Sequence, residues 1–346
     1  TVTIQGFDFT NITDGAANGI IYSRKGNNTI TIKGNVVSGT TTERFVHVDS
    51  LTTARTNWLV DCNRVTSGAA ATPTFAYRMN DINGLTISNN NTAYTAATSG
   101  AEMFVLGGIS NLAFTDNVVE GSRRNGLYIH RDNSGNVSKN TPGGTNTILR
   151  NRFRGNNTAV LSNSGGIAIE NANVFTGTWT IANNFINNNS YAGLTFAPVA
   201  ATTIPSINTF LINNNSITGN STRGIEYNGL STSGPNANCG INARGNWWNN
   251  ASGPTSLYNP LNLTPCTATA YGDAVQQNAA LTCPDSVTRV SFVPWWTDGT
   301  DANATQNGWQ EPAAPANVLG RVVRTNSAGA WQASYATISL GTAAAT

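Results

Sequence analysis

One short pattern recurs along most of this chain: a large apolar residue, two variable residues, Asn, one variable residue, then another apolar position. It runs through Ile32, Asn35 and Val37; Val60, Asn63 and Val65; Ile87, Asn90 and Thr92; and Phe114, Asn117 and Val119. It continues through Ile148, Asn151 and Phe153; Ile181, Asn184 and Ile186; Ile212, Asn215 and Ile217; and Ala243, Asn246 and Trp248. An earlier copy, Ile4, Phe7 and Phe9, keeps the apolar frame and lacks the Asn. Successive markers lie 28, 28, 27, 27, 34, 33, 31 and 31 residues apart. A near-constant period of this kind means stacked supersecondary units, each too small to bury its own apolar face.

Between the markers lies a second short strand, often opened by glycine, as in Gly126-Leu-Tyr-Ile, Gly166-Ile-Ala-Ile, Gly193-Leu-Thr-Phe and Gly224-Ile-Glu-Tyr. The segments have period two and are broken by Asn, Gly and Ser; none has helical period. Stacking equivalent strands about 4.8 Å apart supplies each with full backbone pairing and an apolar inner face. Leucine-rich repeats are shorter, and propeller blades are longer and antiparallel. The pattern predicts an all-β, right-handed parallel β-helix of three sheets, with about nine coils over residues 1–258. The Asn column is expected to lie in the turns, in the left-handed backbone region that Asn tolerates, with amides bonded from rung to rung.

Composition excludes several classes. Only 10% of residues are charged and the net charge is +2, which argues against nucleic acid or an anionic membrane as partner. Asn takes the place of charge, with 49 copies, 42 of them before residue 251. No apolar run is long enough for a transmembrane helix. The chain opens on a strand-like run, Thr1-Val-Thr-Ile-Gln, and reads as a mature or internal piece of something longer. Cys266 and Cys283, in one loop region, are expected to form a disulfide. Cys62 and Cys239 fall about six coils, roughly 29 Å, apart and are too distant to join.

At the end of the repeats the chain reads Gly245-Asn-Trp-Trp-Asn-Asn-Ala-Ser-Gly-Pro, then Gly272-Asp-Ala-Val, then Pro294-Trp-Trp. With these motifs it resembles the bacterial secreted right-handed parallel β-helix repeat proteins of the pectin-lyase-like superfold, over about residues 1–297. The resemblance implies an exported, cell-surface location. It does not select an activity, because adhesins, scaffold modules and polysaccharide-active enzymes share the fold. Trp247, Trp248, Trp295 and Trp296 are expected to seal the C-terminal end of the bore, and residues 259–310, with their Cys-containing loop, are expected to form a capping region. A Pro/Ala linker follows over 311–318. Residues 319–346 look like the first strand and cap of another such helix, suited to packing on a neighbouring copy.

Candidate chemistry is sparse. His130-Arg-Asp lacks every other element of a kinase site, and no His, Asp or Cys set has metal-ligand spacing. No catalytic residue and no cofactor is expected. The most basic stretch carries Arg123, Arg124 and Arg131, and Arg150, Arg152 and Arg154 follow on the next coil. Stacked, these form a possible glycan surface in which guanidinium groups could hold uronic acid carboxylates. Asp116 with Glu120, or Asp132 with a neighbour, would be the carboxylates of a polysaccharide lyase or hydrolase. Ice binding fits poorly, because the Thr rank before the core positions is interrupted at Leu59, Ala113, Leu211 and Asn242. The sequence thus reads as a structural module of an extracellular fibre or adhesin whose partners are copies of itself, with a polysaccharide-binding or -degrading protein as the alternative.

Overall fold

The computed structural model describes residues 1–12, 19–24, 26, 29–39, 44–49, 54–67, 75–94, 102–130, 142–170, 175–197, 210–227, 241–251, 253–255, 272–277, 290–292, 295–312, 318–319, 322–325 and 331–335. Among these there is no helix. Three parallel sheets of ten, eight and nine strands make a β-solenoid. Sheet A runs from Val2–Gln5 to Val290–Ser291, sheet B from Asp8–Thr10 to Ser216–Thr218, and sheet C from Ile21–Ser23 to Val275–Gln277.

The repeat fixes the register. In sheet A the first apolar residue of each marker stacks on the next: Ile4, Ile32, Val60, Ile87, Phe114, Ile148, Ile181 and Ile212. In sheet B the second apolar position does the same, from Phe9 through Val37, Val65, Thr92, Val119, Phe153 and Ile186 to Ile217. Sheet C contributes Tyr77, Phe104, Leu127, Ile167, Leu194, Ile225 and Val275. These columns fill the bore, and each fully buried aliphatic side chain contributes about 1.5–3 kcal/mol.

The described strands bear on two of the expected boundaries. Sheets A and C continue past residue 258, because Val275–Gln277 pairs with Arg223–Tyr227 and Val290–Ser291 pairs with Ile241–Asn242. The buried Val275 and Val290 extend the apolar columns, so the solenoid ends inside the stretch expected to be only a cap. Of the expected linker over 311–318, Glu311 is bonded to the solenoid and Val318 belongs to Val318–Leu319, which pairs antiparallel with Trp295–Trp296, while 313–317 lie outside the described residues. Val322–Thr325 and Trp331–Tyr335 form an antiparallel hairpin.

The left-handed turn also lies one residue earlier than expected. The Asn column itself is not at positive φ; the preceding residue is, namely Gly34, Cys62, Asn89, Asp116, Arg150, Asn183, Asn214 and Gly245, at φ 52–67°. That residue makes the bend, which frees the following Asn to point inward. Cys62, at φ 54°, is a poor occupant of this column. Replacing Cys62 with Asn is expected to raise stability by up to about 1 kcal/mol, read from the denaturation midpoint. A loss of stability would mean that the column does not select for left-handed tolerance.

Candidate functional site

The eight ladder residues Asn35, Asn63, Asn90, Asn117, Asn151, Asn184, Asn215 and Asn246 are all buried. Each Nδ2 donates to the Oδ1 of the Asn one coil on, at 2.8–3.0 Å from Asn35 to Asn246. Each Oδ1 after the first also accepts the backbone N–H of the preceding Asn, at 2.9–3.0 Å. A further bond from each Nδ2 reaches a sheet A carbonyl one coil back, such as Ile148 O from Asn184 at 2.9 Å. The Phe7 copy joins the ladder through its backbone N–H, which donates to Asn35 Oδ1 at 3.0 Å.

A second ladder, missed in the sequence, occupies the corner between sheets B and C. Ser122 Oγ donates to Asn156 Oδ1 at 2.9 Å and Asn189 Nδ2 to Asn220 Oδ1 at 2.8 Å, while Asn156 N–H reaches Asn189 Oδ1 at 3.0 Å. It ends on Asp273 of the Gly-Asp-Ala-Val element, whose carboxylate accepts from Gly219 N–H, Asn220 N–H and Asn220 Nδ2 at 2.8–2.9 Å. Burial raises the Asp273 pKa, and these donors oppose the rise. The signal was present: Phe153…Asn156, Ile186…Asn189 and Ile217…Asn220 repeat the apolar-x-x-Asn spacing of the first ladder.

Trp248 is buried at the end of the bore; Trp295 and Trp296 are buried and Trp247 is half-buried. Trp295 Nε1 donates to Ala251 O at 3.1 Å and Trp296 Nε1 to Asn214 Oδ1 at 3.2 Å. Trp309 is also fully buried, beside Trp296.

The basic residues are divided among three places. Arg150 sits at the A–B corner in a bidentate pair with Asp116, at 2.9 and 2.8 Å. Arg152 and Arg154 flank the buried Phe153 on sheet B, and Arg152 lies over the Phe185 ring. Arg123 and Arg124 lie at the B–C corner, just before the sheet C strand Asn125–His130. There, residues 157–164 form a loop braced by buried Asn157, which accepts from Leu161 N–H at 2.9 Å and donates to Ser164 O at 3.1 Å. Its tip exposes Val160 and Leu161. Arg131, Asp132, Cys239, Cys266 and Cys283 lie outside the described residues. Cys62 is a free thiol.

Ionisable groups concentrate along sheet C instead. Glu102, only 4% exposed, accepts from Asn125 Nδ2 at 3.4 Å and faces Arg124 at 3.6 Å. Burial pushes its pKa up to about 7; Arg124 and Asn125 oppose that shift, and Glu170 adds to it. Glu170 is itself raised by burial and lowered by Arg124. Further along, buried Glu226 accepts from Tyr191 Oη at 3.1 Å and pairs with Arg223 at 3.3 Å. On the first coils, Tyr22 donates to Asp49, which lies 3.2 Å from His47 Nε2. Among the described residues, no three His, Cys, Asp or Glu side chains are grouped to hold a metal ion. No family model, curated protein or solved structure matches the chain.

Proposed function

We propose that the chain is a structural module of an extracellular fibre or adhesin, assembled head to tail through its first coil. The three-sheet parallel solenoid carries this reading, because a stack of like coils makes a stiff repeat module. Val2–Gln5, Asp8–Thr10 and Ile21–Ser23 are the terminal strands of sheets A, B and C, each with one edge unpaired among the described residues. Val2 and Phe7 on that coil are 51% and 53% exposed. A contact between that edge and residues 319–346 of a neighbour, whether a separate subunit or the next unit of a longer chain, is heterologous and repeats into an open fibre. The bacterial surface proteins that the C-terminal motifs resemble fit the same role. Electron microscopy of the full chain is expected to show filaments. A chain ending at residue 318 should stay folded and form none; identical filaments from the truncated chain, or a full chain monomeric at high concentration, would sink the proposal.

A second reading, a polysaccharide-binding or polysaccharide-degrading protein, is favoured by one observation. Glu102 and Glu170 share the influence of Arg124 on sheet C, and burial raises the Glu102 pKa to about 7, in the range that suits a general acid. Incubation with acidic polysaccharides tests it. Cleavage that disappears in Glu102→Gln would support an enzyme, and no cleavage by the unaltered chain would remove it.

A further inference from the structure

After Trp296 the chain runs out along the A–B corner and returns. Asn307 Nδ2 donates to Asp116 O at 2.6 Å. Gly308 lies so close to the next two coils that an added Cβ would fall 2.2 Å from Arg150 Cα and 2.1 Å from Asn183 O. The Glu311 carboxylate then accepts from Asn183 Nδ2 at 2.6 Å and Asn214 Nδ2 at 2.9 Å. Asp116, Arg150, Asn183 and Asn214 are the left-handed corner residues of four successive coils, so one loop crosses all four. It is also closed on itself. Trp309 packs edge-on to Trp296 with ring centroids 6.2 Å apart and donates to Gly299 O at 3.2 Å. Asp301 accepts from Gln310 N–H at 2.9 Å. The antiparallel pairing of Val318–Leu319 with Trp295–Trp296 shuts the loop at its base.

We propose that this loop is a mechanical clasp that opens under tension from the C-terminal side before any coil unravels. Tension entering beyond Leu319 meets the Val318–Leu319 pairing first, then Glu311, then Trp309, Gly308 and Asn307. Force reaches Val290–Ser291 through the Trp295–Trp296 pairing from the start, but this last sheet A strand can be peeled from its neighbour directly only after the clasp is stripped. The contacts above hold the described part of the loop, 297–312, and 21 residues of sequence separate Trp296 from Val318, so stripping the clasp releases that length as slack. The proposal rests on the reading of the chain as a structural fibre or adhesin module, yet it concerns a single module and does not require that module to polymerise.

Optical-tweezers pulling on the full chain, with handles at Thr1 and Thr346, tests it. Opening should lengthen the chain by about 7 nm at roughly 3.4 Å per residue, ahead of every coil event. The hairpin over 322–335 opens separately, releasing about 5 nm on the same scale. Ten Gly/Ser residues inserted between Pro312 and Val318 should lengthen the clasp event by about 3 nm and leave all others unchanged. Glu311→Ala and Gly308→Ala should lower the opening force without changing the length released. Coils that unravel first, or an event whose length ignores the insertion, would overturn the clasp. A clasp that behaves as stated in a chain that never forms filaments would stand, and only the assembly reading would fall.

Discussion

Replacing Asn184 with leucine is expected to cost about 2–6 kcal/mol, the sum of one stranded buried donor and an overpacked turn. Asn184 Oδ1 accepts both the backbone N–H and the Nδ2 of Asn151, at 2.9 Å each. Its Nδ2 donates to Ile148 O, Ala182 O and Asn215 Oδ1 at 2.8–2.9 Å. Leucine leaves the buried Asn151 N–H with no acceptor, whereas Asn215 Oδ1 keeps the bond from the residue 184 backbone. Asn91, exposed on a sheet B strand, is the control, and its leucine variant should move stability by less than about 0.5 kcal/mol. Asn184→Asp separates ladder chemistry from shape. It keeps the acceptor and loses both donors, so an ionised carboxylate would face three oxygens. The cost should grow as pH rises above the ordinary carboxylate range. Equal urea midpoints for the Asn184 and Asn91 leucine variants would show that the ladder bonds do not hold the corner.

The ladder was legible because a solenoid repeats one local solution, and a buried amide at one place in each coil leaves one letter at one spacing. The neighbouring left-handed column was misplaced by one residue for the converse reason. Gly34, Cys62, Asn89, Asp116 and Arg150 share a backbone angle and no side-chain chemistry, so the column leaves no letter. The second ladder was half visible, since its ends at Ser122 and Asp273 are not Asn and interrupt the spacing. Glu102 could not be found from sequence at all. Its burial and its partners Arg124 and Asn125 come from the next coil, more than twenty residues away, and only stacking brings them together. The clasp was read as the end of a cap and the start of a linker, because its bonds reach corner residues that lie up to 191 positions earlier.

Glu102→Gln is expected to stabilise the protein above neutral pH and to change little in acid. In the folded chain the Glu102 pKa rises from 4.5 to about 7, because burial removes water from its carboxylate. Between those values the folded state holds a proton that the unfolded state has released. The stability linked to this residue is therefore complete below about pH 4.5 and falls as pH rises toward about 7. Above that it is lost, at a cost of about 3 kcal/mol from 1.36 kcal/mol per unit. Glutamine keeps the shape and a neutral acceptor for Asn125, so it should recover most of that loss at pH 8 and almost none at pH 4. Asp61 acts in a different window: burial would raise it, but bonds from Asn89, Lys33 and Ser88 hold it at about 2, and its contribution is lost only in stronger acid. Glu170, raised in the same direction, leaves a residual slope in the variant. The measurement is the urea midpoint of both proteins from pH 4 to 9. Parallel curves would show that Glu102 does not titrate in this window, and the acid role suggested for it on sheet C would go with it.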